Sequence, residues 1–322
     1  MMEKLIKKEK FYSNKTHCLS AGIANIKSNP RDIEENKLRI ISALDQFSKN
    51  KVNLAIFPEY CISGYFREPE KECRSYMEKA SLDNLTDWFD EIIQTYVNET
   101  LQYIVFNGLI KNREDTNKFF NTNFVLDRTG NYFNKNKTYK KTFLPGLEKK
   151  YITSGINDTL VLDTAWGKFG FLTCYDICFP QLVQELVYLK EVDGLIITAA
   201  WKKQGKREYK GLQINKESYY KIQWDMALPS LAWQNQVWVM AANAVGPHSF
   251  NGLDYCGGSG IWAPSGIEMV KGSDNKQELL ILHNIDIIHE IETERRDYCY
   301  INDFRNIYRE LKELNTSTRN LK

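Results

Sequence analysis

Apolar and polar positions alternate along this chain in two periods, and the switches between them outline its elements. Residues 18–26 read as a strand. Asn29-Pro30 then offers an N-cap and a first-turn proline for a helix whose apolar positions Ile33, Ile40, Leu44 and Phe47 recur at helical spacing. Residues 53–57 form a short apolar run ending at Pro58, and Ser81 is placed to cap a second helix carrying Leu85, Trp88, Phe89, Ile92, Ile93 and Tyr96. A strand is expected over 103–110, and a hairpin over 123–126 and 132–135 across Arg128-Thr129-Gly130-Asn131. In the second half, 159–162 and 169–173 flank a turn at Trp166-Gly167-Lys168. Pro180 opens a helix through Leu189, and 194–199 is a buried strand. A polar stretch from Lys202 to Lys216 leads into a helix ending near Asn235. Strands over 237–242, 260–263 and 279–285 follow, with a final helix over 303–314.

This alternation of strands and helices argues for an α/β protein layered around one continuous core. No Pro/Ser linker, repeat or low-complexity block interrupts it, so a single domain over 1–322 is expected, its core spanning about 18–310 with short polar tails. The composition, 43% hydrophobic and 26% charged, is that of a folded chain and not a disordered one. Forty-three Lys and Arg balance 41 Asp and Glu, which gives no global attraction to nucleic acid or to anionic membrane. The opening MMEKLIKKEKFY lacks the apolar stretch of a signal peptide, and no run reaches the roughly 18 apolar residues of a membrane span. A cytoplasmic location is therefore expected. The seven cysteines are scattered and odd in number, and the closest pair, Cys174 and Cys178, is spaced CxxxC. That pattern disfavours a disulfide framework or a zinc finger. With no HExxH, and with Gly257-Gly258-Ser259-Gly260 lacking the context of a phosphate or dinucleotide loop, no metal or cofactor is implied.

Three segments could carry chemistry. In Gly167-Lys-Phe-Gly-Phe-Leu-Thr-Cys174-Tyr-Asp176-Ile-Cys-Phe-Pro180, an apolar strand delivers Cys174 to its carboxyl end just before a helix, the edge where α/β sheets bind ligands. Backbone N–H groups on such a turn can lower a thiol pKa and hold an oxyanion. A buried structural cysteine is the bland alternative. In Leu54-Ala-Ile-Phe-Pro58-Glu59, a carboxylate follows a buried strand and a proline, where low-dielectric surroundings would raise its pKa and make it a usable base; a solvated loop glutamate is the ordinary reading. In Thr138-Tyr-Lys140-Lys141-Thr-Phe-Leu144-Pro-Gly-Leu-Glu148, one of two lysines could turn inward toward an anion, against the default of a solvated basic turn. The four histidines, His17, His248, His283 and His289, lie outside these segments, which disfavours a Cys–His protease.

Taken in order, a Glu after strand-Pro, a Lys in Tyr-x-Lys-x-x-Leu and a Cys in Cys-Tyr-Asp-x-x-Phe-Pro resemble the nitrilase superfamily of carbon–nitrogen hydrolases. The likeness runs from about Cys18 to Tyr308 and includes Asn121-Thr122, Trp201, Leu231–Asn235, Ala242–Gly246 and Pro264-Ser265-Gly266. It implies a four-layer α-β-β-α sandwich with a Glu–Lys–Cys triad. On this likeness Cys174 is the nucleophile, Glu59 the general base and Lys141 the oxyanion-stabilising lysine. The N–H of Tyr175 would be a second donor, and Glu148 a second carboxylate orienting lysine and substrate. Tyr65, Tyr175 and Trp201 fall where substrate is bound, and a homodimer or larger homo-oligomer is expected on the same ground.

The implied reaction is hydrolysis of a small amide or N-carbamoyl compound through a cysteine thioester, with release of ammonia or an amine. Cys174-Tyr175-Asp176 favours the amidase branches over nitrile cleavage, where Cys-Trp-Glu is usual. A nitrile hydrolase and a non-catalytic binding member of the fold are the alternatives. Cys178 and Gln181 depart from the commoner Arg and Glu, which leaves the substrate open. The stretch 202–225 carries seven Lys and Arg against three Asp and Glu. It reads as a solvated insertion, or as a basic rim drawing in an acidic substrate.

Overall fold

The computed structural model describes residues 5–15, 17–65, 70–156, 158–248 and 253–307, apart from the side chains of 70–73. In chain order the strands are β1 (Ile6–Phe11), β2 (Leu19–Asn25), β3 (Leu54–Ile56), β4 (Tyr103–Lys111), β5 (Phe119–Leu126), β6 (Thr138–Lys140), β7 (Val161–Thr164) and β8 (Gly167–Thr173). They continue with β9 (Gly194–Ala199), β10 (Arg207–Tyr209), β11 (Ile214–Lys216), β12 (Trp238–Asn243), β13 (Gly260–Trp262), β14 (Glu268–Lys271) and β15 (Glu278–Ile285). The helices are α1 (Ile33–Lys49), α2 (Glu70–Ala80), α3 (Thr86–Tyr96), α4 (Pro180–Gln184), α5 (Tyr219–Asn235) and α6 (Ile287–Glu294).

The strands form two large sheets, ordered β1-β15-β2-β3-β4-β5-β6 and β14-β13-β12-β9-β8-β7. Strand periodicity sorts each side chain to one of two faces. Leu19, Ala21 and Ile23 of β2, Phe169 and Phe171 of β8 and Ile196 of β9 meet between the sheets. From the alternate positions, Ala24 of β2 packs with Ile40, Leu44 and Phe47 of α1 and Phe89 of α3. Leu195 and Ile197 of β9 pack with Leu186, Trp224 and Leu228 on the far side. The result is helices, sheet, sheet, helices: the α-β-β-α sandwich. Close approach between layers explains some glycines: a Cβ on Gly22 would lie 2.7 Å from the Phe47 ring. Among the described residues no helix is long and apolar enough to cross a membrane.

Several elements differ from the sequence expectation. Helix α1 is capped by Asp32, whose carboxylate accepts from the Glu35 N–H at 3.3 Å, and not by Asn29. Arg31 takes a left-handed φ of 65° just before the cap, so the chain turns after Pro30. Ser81 begins a single 3₁₀ turn and bonds Asp83 at 2.7 Å, and α3 starts only at Thr86. The strand expected over 132–135 is absent. Tyr132 folds inward, with its ring 5.4 Å from Phe89 and its hydroxyl on the Thr86 carbonyl, and β5 pairs instead with β6. The helix from Pro180 continues past α4 as a π-helical turn, Glu185–Leu189. The basic stretch holds an exposed hairpin, β10 with β11. Residues 300–307 are helical; the rest of the expected last helix, with Tyr308, lies outside the described residues.

Candidate active site

The carboxyl ends of β3, β8 and β9 bring the candidate side chains to one place. Glu59 follows β3 and Pro58 and is fully buried, as is Lys141, the residue after β6. Alternation along 138–141 settles which lysine turns in. Tyr139 and Lys141 face the interior, while Lys140 is partly exposed with its ammonium over the Phe120 ring. Lys141 Nζ donates to Glu59 Oε1 at 2.9 Å and to Glu148 Oε2 and Oε1 at 2.9 and 3.1 Å. Glu148 sits in a 3₁₀ turn, Glu148–Lys150, and is 6% exposed. The other Glu59 oxygen, Oε2, accepts from the Ala200 N–H at 2.7 Å, and Asn121 Nδ2 donates to Oε1 at 2.7 Å.

Cys174 stands where β8 ends, at a φ of 49°, a strained setting for a side chain larger than glycine's and one common at functional sites. The turn is locked by Asp176. Its carboxylate accepts from the Thr173 N–H (3.0 Å), the Phe143 N–H (2.8 Å) and the Tyr139 hydroxyl (2.8 Å), tying the nucleophile turn to the lysine loop. Burial pushes the Asp176 carboxyl up to about 6, with Lys141 and these donors opposing. The thiol does not behave as its position on the turn suggested. Burial and then Glu59 raise the Cys174 pKa well above the ordinary thiol range, against Lys141 and the Ala200 N–H. Two carboxylates outweigh one ammonium, so the resting group is a neutral thiol that needs a base on attack.

Two acids share one base in this buried cluster. Burial would lower the Lys141 pKa, but Glu148 and Glu59 overcome it and keep the ammonium charged. Burial pushes Glu148 up to about 7, Lys141 opposing and Glu59 adding to the rise. Below pH 7 Glu148 is neutral and no longer anchors the Lys141 ammonium as an ion pair, which leaves that ammonium less firmly placed. Above it the ammonium is shared. The reaction is therefore expected to quicken as pH rises through about 7, read as kcat/KM against pH. Glu148→Gln should erase that limb; a parent profile flat from pH 6 to pH 8 would contradict this.

The aromatic residues divide. Tyr65 faces the cluster: burial and then Glu148 raise its phenol well above the ordinary range, and its backbone N–H donates to the Tyr255 hydroxyl at 2.9 Å. Its ring lies 5.7 Å from Tyr60 and 4.5 Å from His248, which is 6% exposed, so that histidine borders the site after all. Tyr175 is 36% exposed and edges Phe179. Trp201 is turned toward α5, its indole N–H on the Tyr220 carbonyl at 2.8 Å and its ring 5.7 Å from Trp224. Cys178 and Gln181, the departures from the commoner pattern, are both exposed. Asn107, Asn123 and Thr198 escaped the sequence reading. Their signal was a polar residue on the inward phase of a buried strand, Asn107 beside Val105 and Asn123 beside Val125.

A probable nitrilase from Schizosaccharomyces pombe is 25% identical over 88% of this chain and 96% of its own length. A deaminated glutathione amidase from Dictyostelium discoideum is 26% identical over 88% and 92%. A CN-hydrolase superfamily protein from Xanthomonas campestris, solved with an arsenic adduct in its active site, shares the fold at a TM-score of 0.71 and 19% identity, covering 89% of this chain and 97% of that one. An amidase from Nesterenkonia sp. AN1, solved with acrylamide, does so at 0.68 and 18%, covering 93% and 99%. Residues 20–290 match the carbon–nitrogen hydrolase family model, and the chain belongs to that family.

Proposed function

We propose that this chain hydrolyses a small amide or N-carbamoyl compound, with Cys174 as nucleophile, Glu59 as base and Lys141 as oxyanion partner. The observation that carries this is the buried Glu59–Lys141–Glu148 cluster beside a cysteine held at positive φ. Glu59 takes the thiol proton as Sγ attacks the carbonyl carbon. The tetrahedral oxygen gains its charge next to the Lys141 ammonium and the Tyr175 N–H, a donor pair whose worth rises in a dry site. Collapse breaks the C–N bond, and the proton held by Glu59 leaves with the amine. Glu59 then takes a proton from water as it attacks the thioester; collapse breaks the C–S bond, Glu59 returns that proton to the Cys174 sulfur, and the acid is released. Glu148 and Asn121 hold Lys141 and Glu59 in register throughout.

Tyr65, with Tyr60 and His248 beside it, supplies the wall against which the acyl group lies, with Tyr175 at its rim, while the Trp201 ring is packed toward α5. Ammonia or amine release from ω-amides, N-carbamoyl amines, aliphatic amides and the matching nitriles tests the reading. Turnover of an amide or carbamoyl compound with little on its nitrile is expected. A strong preference for nitriles would overturn the branch assignment, and a chain inert on all four classes would favour a binding role.

A further inference from the structure

The inward faces of four strands stop being apolar at one level of the sandwich. On β4 the phase that carries Val105 continues to Asn107, and on β5 the phase of Val125 carries Asn123 and Asn121. On β8 Phe169 and Phe171 give way to Thr173, and on β9 Ile196 gives way to Thr198. All five polar residues are at 0% exposure. Unpaired amides and hydroxyls there would each cost about 1–3 kcal/mol, so their partners matter.

The partners make one chain of hydrogen bonds. Asn107 Oδ1 accepts from the Tyr60 N–H at 3.0 Å, which fixes its orientation and sends its Nδ2 to Asn121 Oδ1 (2.9 Å) and Asn123 Oδ1 (2.8 Å). Asn121 is thereby oriented with Nδ2 toward Glu59 Oε1 (2.7 Å) and the Tyr60 hydroxyl (2.9 Å). Asn123 crosses to the other sheet. Its Oδ1 also accepts from Thr198 Oγ1 (2.7 Å), and its Nδ2 donates to Thr173 Oγ1 (3.0 Å). Thr173 is itself the N-cap of the 3₁₀ turn that begins at Cys174. An unbroken path therefore leads from the Glu59 carboxylate to the residue before the thiol. Valine or leucine at these positions would fill the same interior without needing partners, so packing alone does not account for the pattern.

We infer that Asn107 and Asn123 are positioning residues, setting the Glu59 carboxylate on one sheet against the Cys174 thiol on the other; this rests on Cys174 being the nucleophile. Neither amide reaches the reacting atoms. Each acts through its neighbours, Asn107 on the base and Asn123 on the thiol, so loosening either one degrades proton transfer more than substrate binding.

The test uses the full chain and two readouts. One is the rate at which iodoacetamide alkylates Cys174 with no substrate present, followed by mass spectrometry on the peptide that carries it. The other is kcat and KM on the best amide of the panel. Asn123→Ala is expected to slow alkylation and kcat by about 10- to 100-fold, since small misplacements of reacting groups have effects of that order. KM should stay within about twofold, as for an interaction that counts only in the transition state. Thr173→Val should fall likewise, and Thr173→Ser, which keeps the hydroxyl, should recover most of the rate. If Asn123→Ala does not fold, Thr173→Val decides, because it leaves the other bonds of the layer in place. Alkylation within about twofold of the parent, whatever happens to the denaturation midpoint, would make the layer purely structural and overturn the inference. The alkylation arm needs no turnover, so a chain inert on every amide still reports on this coupling.

Discussion

Turnover is expected to fall by about 10⁴-fold or more when Cys174 becomes alanine, with the fold left standing. Among the described residues of the cluster, none is placed to take over as nucleophile. Glu59, Lys141 and Glu148 are locked into their own ion pairs, and the Cys178 thiol belongs to an exposed residue on the outside of the turn. Alanine occupies the φ of 49° no more comfortably than cysteine, so the backbone strain is neither relieved nor increased. The thiol is neutral at rest, so its loss removes no buried charge. A small packing cost near 1 kcal/mol would lower the thermal midpoint by roughly 1–2 °C. Steady-state rates on a panel amide, scanning calorimetry and mass spectrometry together check this. The acyl adduct that brief exposure to amide leaves on Cys174 should vanish in the variant. Full hydrolytic activity in Cys174→Ala would end the thioester mechanism.

Lys141→Ala is expected to damage both activity and stability, and the stability loss should depend on pH. Glu59 and Glu148 would remain buried, at 0% and 6% exposure, without the ammonium they share. Removing one partner of a buried ion pair costs about 3–5 kcal/mol, a large part of an ordinary domain's stability. Lys141 now opposes the burial that takes the Glu148 carboxyl to about 7, so without it that carboxyl moves further up from its unfolded value. A carboxyl whose folded pKa is raised favours the folded state fully below its unfolded pKa, about 4.5, and loses that contribution as pH climbs through the folded one. The variant should therefore lie closest to the parent near pH 5 and furthest from it near pH 8, measured by urea denaturation. An equal loss of under about 1 kcal/mol at both would mean the cluster is solvated, contrary to the buried ion pairs.

The candidate site was legible because it rests on short sequence runs that backbone geometry then brings together. Pro58-Glu59 ends a strand, Lys141 alternates with Tyr139, and Cys174 follows an apolar run; each lands at the same edge. Less legible were elements whose stability comes from neighbours. Strand β1 has five of its six residues exposed and only sparse apolar residues, since pairing with β15 holds it. Helix α2 buries Met77 and Ala80 on a narrow stripe of an otherwise strongly polar segment, a weaker signal than the broad apolar faces of α1 and α3. Tyr132 resembled a strand residue, and only the Phe89 surface of α3 made an inward turn more favourable. The thiol pKa was also beyond local reading. Backbone donors on the turn argued for a low value; burial reverses it, helped by carboxylates that come from residues 59 and 148.

Strand β15 has a consequence for how the molecule is made. It lies between β1 and β2, parallel to the first and antiparallel to the second, so both N-terminal strands wait for residues 278–285 before they pair there. During synthesis, most of the chain must emerge while β2 presents an open backbone edge. Such long-range closure slows folding and leaves an adhesive strand exposed meanwhile. A chain cut short before residue 278 would carry Glu59, Lys141 and Cys174 and still lack the strand that seals the first sheet, so truncated products should aggregate instead of yielding a smaller working hydrolase.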